Sequence, residues 1–186
     1  MKKVLFAAAL ALLLVCASCQ SQSKAPTPKD YIDFARDTVN EGIKSAEEKQ
    51  EAREKEFKAN TIEITEDVYF EVPEVGRFKL KAYSIVNNEF IDQTEFYLIG
   101  DYTNLSDRDS GFYDIASYMA TYQDGVRLSD TIGSFCKDEW TSLKTDATLE
   151  IITCAYLRNT TSDIEIECFD IYDDILYGEY TIDIEQ

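Results

Sequence analysis

The sequence predicts an all-β domain, an antiparallel β-sandwich, preceded by an N-terminal helical spacer, and three observations carry that prediction. From about Asn60 onward, short segments rich in β-branched and aromatic residues alternate with turn signals. Seven or eight such segments follow one another with no helical crossover between them, which implies antiparallel strands in two layers. Before Asn60, apolar residues recur instead at helical spacing.

At the N-terminus, Lys2 and Lys3 precede an apolar run from Val4 to Val15, too short to cross a bilayer core of ~30 Å as a helix. Residues 1–18 therefore read as a signal peptide. The tetrapeptide Cys16-Ala17-Ser18-Cys19 resembles the lipobox of bacterial lipoproteins, in which the leader is cut before a cysteine that carries a diacylglyceryl group. Cys16 stands where that pattern has Leu, Val or Ile. The resemblance implies lipidation of Cys19 and an extracytoplasmic chain, lipid-anchored to a bacterial membrane or cell surface. The plainer alternative is ordinary signal cleavage, with Cys19 an incidental thiol. Two or three acyl chains, at ~0.8 kcal/mol per buried CH₂, would anchor the chain durably where one would not. Residues 19–29 are polar, hold Pro26 and Pro28, and read as a flexible tether.

Thr27, Pro28 and Asp30 make a helix start, with an oxygen-bearing cap, proline at the first helical position and an acid in the first turn. Ile32, Ala35, Val39, Ile43 and Ala46 then form one narrow apolar stripe. From Glu47 to Lys58 the stripe lapses into charges, with Glu51 to Lys55 and Glu54 to Lys58 in the favourable i,i+4 order. Residues 30–58 read as a helical spacer on the order of 45 Å long. A helix folded back along the sandwich by the Ile32 stripe is the other arrangement open to it.

Residues 59–186 form the sandwich domain. Thr61 to Val72 alternates at Ile62 and Ile64, then at Val68, Phe70 and Val72, and Pro73 ends it. Phe78, Leu80, Ala82 and Ser84 are expected on one face of the next strand. Thr94 to Thr103 sets Phe96, Leu98 and Gly100 opposite Tyr97, Ile99 and Asp101. Ile115 to Tyr122 leads through Asp124-Gly125 into Val126 to Leu128, a hairpin by its Asp-Gly. Thr148 to Leu157, Asp163 to Phe169 and Leu176 to Ile184 complete the set, with a hairpin turn expected about Thr161.

The run from Glu95 to Asp107, with Phe112, Gln123-Asp124-Gly125 and Ala155-Tyr156-Leu157, resembles an immunoglobulin-like (telokin-like) domain carried by many bacterial surface lipoproteins. The likeness covers roughly Phe70 to Asp170, and Thr145-Asp146 stands where the family has a proline-glycine turn. It implies an immunoglobulin-like sandwich in an extracytoplasmic setting and brings no catalytic residues with it. The Cys, Trp, Cys spacing of antibody domains is missing, since Trp140 lies four residues after Cys136.

The chain holds no histidine, which excludes histidine triads and histidine zinc sites. No glycine-rich phosphate loop occurs. The net charge of -18 is uneven: residues 19–58 carry 8 basic and 9 acidic side chains, residues 59–186 carry 8 and 27. Such acidity argues against nucleic acid and anionic lipid as partners, because both are held by basic side chains.

A non-enzymatic binding or interaction domain with an acidic face is therefore expected, with no cofactor, no metal, and a protein or glycan of the envelope or surroundings as partner. A divalent-cation-binding or solute-sensing envelope lipoprotein is the alternative. Asp170, Tyr172, Asp173 and Asp174 are the candidate partner-binding residues, as a loop that presents carboxylates and tyrosine. Asp107, Asp109 and Asp114 read as a solvated turn rather than a calcium loop. Asn104-Leu105-Ser106 and Asn159-Thr160-Thr161 match the glycosylation pattern and read as turns. Cys154 and Cys168 lie equally far from Thr161 and would face each other across a hairpin there, as a disulfide or as buried thiols.

Overall fold

The computed structural model describes residues 28–89, 91–131, 133 and 135–184. The expected signal peptide, Cys19 and the expected tether up to residue 27 lie outside the described residues. The chain divides into two compact units, Met1–Glu54 and Lys55–Gln186. Helix α1 (Pro28–Ala59) runs through the end of the first and into the second. In the first unit, Tyr31, Ile32, Phe34, Val39 and Ile43 are all solvent-exposed. Among the described residues, no helix is long and apolar enough to cross a membrane.

In the second unit, the last turn of α1 is fixed by its only aromatic side chain. The Phe57 ring lies 5.3 Å from Tyr97, edge to face, and 4.6 Å from Phe135. Its carbonyl, which no further helical turn is there to satisfy, accepts the hydroxyls of Thr61 at 2.6 Å and Ser84 at 2.9 Å.

The sandwich consists of two antiparallel sheets. The first contains β1 (Ile62–Glu63), β2 (Tyr69–Val72), β3 (Gly76–Asn88), β4 (Gln93–Asn104), β7 (Asp130–Thr131) and β8 (Thr148–Tyr156). Its order is β1-β3-β4-β8-β7, with β2 also on β3. The expected strand from Thr61 to Val72 is thus two short pieces along one edge of β3, joined to it between them by Ile64 N–H to Lys81 O and Leu80 N–H to Val68 O. Pro73 closes β2 as expected, and Glu74 turns the chain with φ 61°.

One register expectation fails. A bulge between Leu80 and Ala82 adds one residue to β3, which exchanges the two faces of the strand beyond it. Phe78 and Leu80 share the inter-sheet core with Tyr83, whereas Ala82 and Ser84 turn outward, where Ser84 meets Phe57. The bulged Lys81 donates to Glu150 at 2.7 Å and to Asp101 at 3.3 Å.

The second sheet is β10-β9-β5-β6, from β5 (Met119–Gln123), β6 (Val126–Arg127), β9 (Ile164–Asp170) and β10 (Ile175–Ile182). A one-turn helix, α2 (Phe112–Ala116), precedes β5 where a strand is expected from Ile115. It carries the chain from the first sheet to the second and drives Phe112 and Ile115 into the core. The Asp124-Gly125 hairpin forms as expected, with φ of 54° and 68° at its two central residues, the left-handed pair that a two-residue turn requires.

No hairpin forms about Thr161. β8 pairs with β4 and β7, while β9 pairs with β5 and β10, so residues 157–163 cross between sheets. Cys154 consequently faces the outer side of the first sheet beside Tyr97, and Cys168 lies in the inter-sheet core. The facing expected of these two cysteines is corrected, and both are free thiols. Between the sheets, Phe70, Phe78, Phe96, Leu98, Tyr102 and Ile151 pack against Ile164, Ile166, Cys168 and Ile182. These side chains are buried here, at ~25 cal/mol per Å² of apolar surface removed from water.

Candidate functional site

The β9–β10 hairpin is closed by the pair Asp170 and Ile175, leaving Ile171 to Asp174 as its turn. The Asp170 side chain builds that turn from inside. Its Oδ1 accepts the backbone N–H of Tyr172 at 2.8 Å and of Asp173 at 3.3 Å. Asp174 adopts φ 56°, a left-handed conformation that aspartate tolerates. With the backbone folded on Asp170, the remaining side chains point to solvent. Ile171 is 71% and Tyr172 91% exposed, and Asp173, Asp174, Ile175 and Leu176 are exposed around them.

All four candidate residues are thus brought together, with unequal roles: Asp170 shapes the loop, while Tyr172, Asp173 and Asp174 are displayed by it. Next to them, the Tyr177 hydroxyl is held above its ordinary range, first by desolvation, then by the carboxylate of Asp170 and, further down, that of Asp173. Its ring meets Tyr118 of the adjoining segment edge to face at 6.1 Å. The hairpin end is therefore an apolar and aromatic patch in a negative field.

Other acidic and polar motifs are occupied by the fold. Asp109 pairs with Lys144 at 2.7 Å, and Asp114 accepts the Ser110 hydroxyl at 2.5 Å. Among the described residues, no three Cys, Asp or Glu side chains are placed to hold a metal ion. Asn104 is fully buried. Its amide donates to the carbonyls of Arg108 at 2.7 Å and Leu143 at 2.9 Å, and accepts from Ser106 N–H at 2.8 Å. Asn159 likewise accepts the N–H groups of Thr161 and Ser162.

A second exposed aromatic feature carries no signal in the sequence. Trp140 is 73% exposed and stacks on Tyr113 at 5.8 Å with 23° between the ring planes. It sits in a turn built by Asp138, whose φ is 60° and whose carbonyl accepts Thr141 N–H at 3.0 Å. Tyr113 belongs to α2, so the stack joins segments distant in sequence and only the fold brings them together.

The fold defines a two-layer antiparallel β-sandwich with a helix before it. No family profile matches the chain, and no curated protein does. Among solved structures, a candidate lipoprotein of Staphylococcus aureus is similar to it, with 16% identity and a TM-score of 0.55 over 68% of this chain and 95% of that one. A candidate lipoprotein of Bacillus subtilis aligns at 13% identity and a TM-score of 0.49, over 65% of this chain and 40% of that one. At these identities the first likeness is one of fold.

Proposed function

We propose that this chain is a lipid-anchored, surface-displayed domain of a bacterial envelope whose function is to bind a macromolecular partner rather than to catalyse a reaction. The observation that carries the proposal is the β9–β10 end, where a turn held from within by Asp170 leaves Ile171 and Tyr172 in water between acids. Single exposed apolar residues are ordinary. A cluster of Ile171, Tyr172, Ile175 and Leu176 at one hairpin end, rimmed by Asp173 and Asp174, has the make-up of a recognition surface. The anchoring limb rests on Cys16-Ala17-Ser18-Cys19 and on the likeness of fold to a candidate lipoprotein, with residues 19–29 as tether and 30–58 as spacer. The immunoglobulin-like reading belongs to this proposal at the level of layers. Two antiparallel sheets face each other, although the consecutive strands β3 and β4 pair within one sheet where antibody domains place strands B and C in different sheets.

A photo-crosslinking residue at position 172 in intact cells is expected to capture one discrete partner, and the same residue at Tyr69 to capture none. A crosslinking pattern indistinguishable between the two positions contradicts the proposal. Capture should weaken as salt is raised, because the acidic rim contributes long-range attraction.

A glycan as that partner is favoured by Trp140, whose ring is exposed and held by Tyr113. It is the single tryptophan of the chain, so its emission should shift on titration with envelope glycan fragments. Emission that does not move across the titration removes this reading.

A further inference from the structure

On the outer face of the first sheet, the register sets Tyr97 between Ser84 and Cys154. Val86, Tyr97 and Cys154 are buried there, and Phe57, Phe135, Cys136 and Ile152 close over them. Cys136 and Cys154, distant in sequence, are drawn together by the backbone. Lys137 and Ile152 exchange hydrogen bonds of 2.9 and 3.2 Å, tying the residue after Cys136 to the residue two before Cys154. Cys136 packs against the buried cluster that contains Cys154.

Gly133 fills the remaining side. Its N–H donates to Cys136 Sγ at 3.1 Å, and a Cβ on it would stand 2.8 Å from Cys154 Sγ and 2.5 Å from Tyr97 Oη. A side chain at 133 would therefore fall on the thiol pair. The two sulfurs differ in access, Cys154 being buried and Cys136 partly exposed.

We propose that Cys136 and Cys154 form a dithiol site for thiol–disulfide exchange with an organic disulfide, Cys136 attacking and Cys154 resolving. The Cys136 thiolate attacks one sulfur of the donor disulfide, forming a mixed disulfide and releasing the first donor thiolate. Cys154 then gives up its proton and attacks the Cys136 sulfur. The mixed bond breaks, the second donor thiolate leaves, and the intramolecular disulfide is formed. Two electrons pass from the cysteine pair to the donor, and the two protons of the pair end on the two donor thiols.

The environments match the two roles. The neighbouring Cys154 thiol, with help from the Gly133 N–H and against the cost of burial, holds the Cys136 thiol below its ordinary range. The same contact and burial hold Cys154 above it. Cys168 lies apart in the inter-sheet core, its thiol pushed up to about 11 by burial, and serves as an internal reference. The product would join the segment before β8 covalently to β8. The site rests on the extracytoplasmic reading only for the natural supply of disulfide, so the test below stands whether or not that reading does.

The reduced chain is exposed to glutathione disulfide, quenched in acid, denatured, alkylated and mapped by mass spectrometry. The expected product links Cys136 to Cys154 and leaves Cys168 alkylated. In Cys154→Ser the glutathione adduct is expected to accumulate on Cys136, and in Cys136→Ser an adduct on Cys154 should form at least about tenfold more slowly. The linked form is expected to melt on the order of 5 °C above the reduced form. Equal alkylation of Cys136, Cys154 and Cys168 after exposure, or a link that includes Cys168, overturns the proposal.

Discussion

At Gln123 a single buried amide satisfies both of its ends on the segment that carries the chain from one sheet to the other. Its Nε2 donates to the carbonyls of Asn159 at 3.1 Å and Ser162 at 2.9 Å, and its Oε1 accepts the N–H groups of Arg158 at 2.8 Å and Asn159 at 3.1 Å. Gln123→Ala leaves those backbone groups without partners in a buried place. A loss on the order of 3 kcal/mol is expected from the denaturant midpoint, and a loss below ~0.5 kcal/mol would contradict this role. Glu95 is a second buried polar anchor, accepting the Tyr97 hydroxyl at 2.5 Å and the Asn88 amide at 2.6 Å. Tyr97→Phe removes one of those donors and is expected to cost about 1–3 kcal/mol by the same measurement.

Lys81 and Glu150 fix the sign of a pH effect. The hydrogen bond from Lys81 holds the Glu150 carboxyl below its ordinary range. A carboxylate depressed in the folded state adds stability above its unfolded value, ~4.3, and that stability is lost as pH falls through the folded value. Both side chains are more than a third exposed, so the contribution stays under ~1 kcal/mol. Glu150→Gln should lower stability slightly at neutral pH and flatten that part of the acid limb. An acid limb identical to the parent's would contradict the assignment. The roles of Gln123 and Lys81 are not visible in the chain as written, since both acquire them from partners 20 or more residues away.

Among the elements, those whose structure is local were legible in the sequence. The helix start at Pro28, the Asp124-Gly125 hairpin and the alternation along β4 each depend on neighbours within one segment. The bulge at Lys81, the helical turn α2 and the crossing at 157–163 depend on the partner strand or on which sheet receives the chain. These are the places where periodicity alone misdirects, and the expected facing of Cys154 and Cys168 fails for that reason. The candidate hairpin was legible because its residues are consecutive, whereas Trp140 with Tyr113, and Cys136 with Cys154, meet only through the fold.

Two elements can be separated experimentally. Phe57→Ala removes the ring that packs the last turn of α1 against Tyr97 and Phe135, and is expected to destabilise the Lys55–Gln186 unit by about 2–4 kcal/mol. Tyr172→Ala removes a side chain that touches little. Its melting should stay within about 0.5 kcal/mol of the parent while partner capture is lost. A thermal shift for Tyr172→Ala as large as that for Phe57→Ala would assign the hairpin end to the core instead.

For the whole molecule, the distribution of charge and the two ends of the chain give one consistent picture. Residues 59–186 carry 27 acidic against 8 basic side chains, so the sandwich repels anionic surfaces, and any durable membrane contact would have to come from a separate anchor. Cys19 is the residue proposed to supply it. Tether, helix and sandwich then follow the anchor in sequence order. The most direct measurement is mass spectrometry of the mature N-terminal peptide from native membranes. The expected result is a chain that begins at Cys19 and carries a diacylglyceryl group. A mature chain with an unmodified Cys19 thiol, or one that retains residues 1–18, would contradict it.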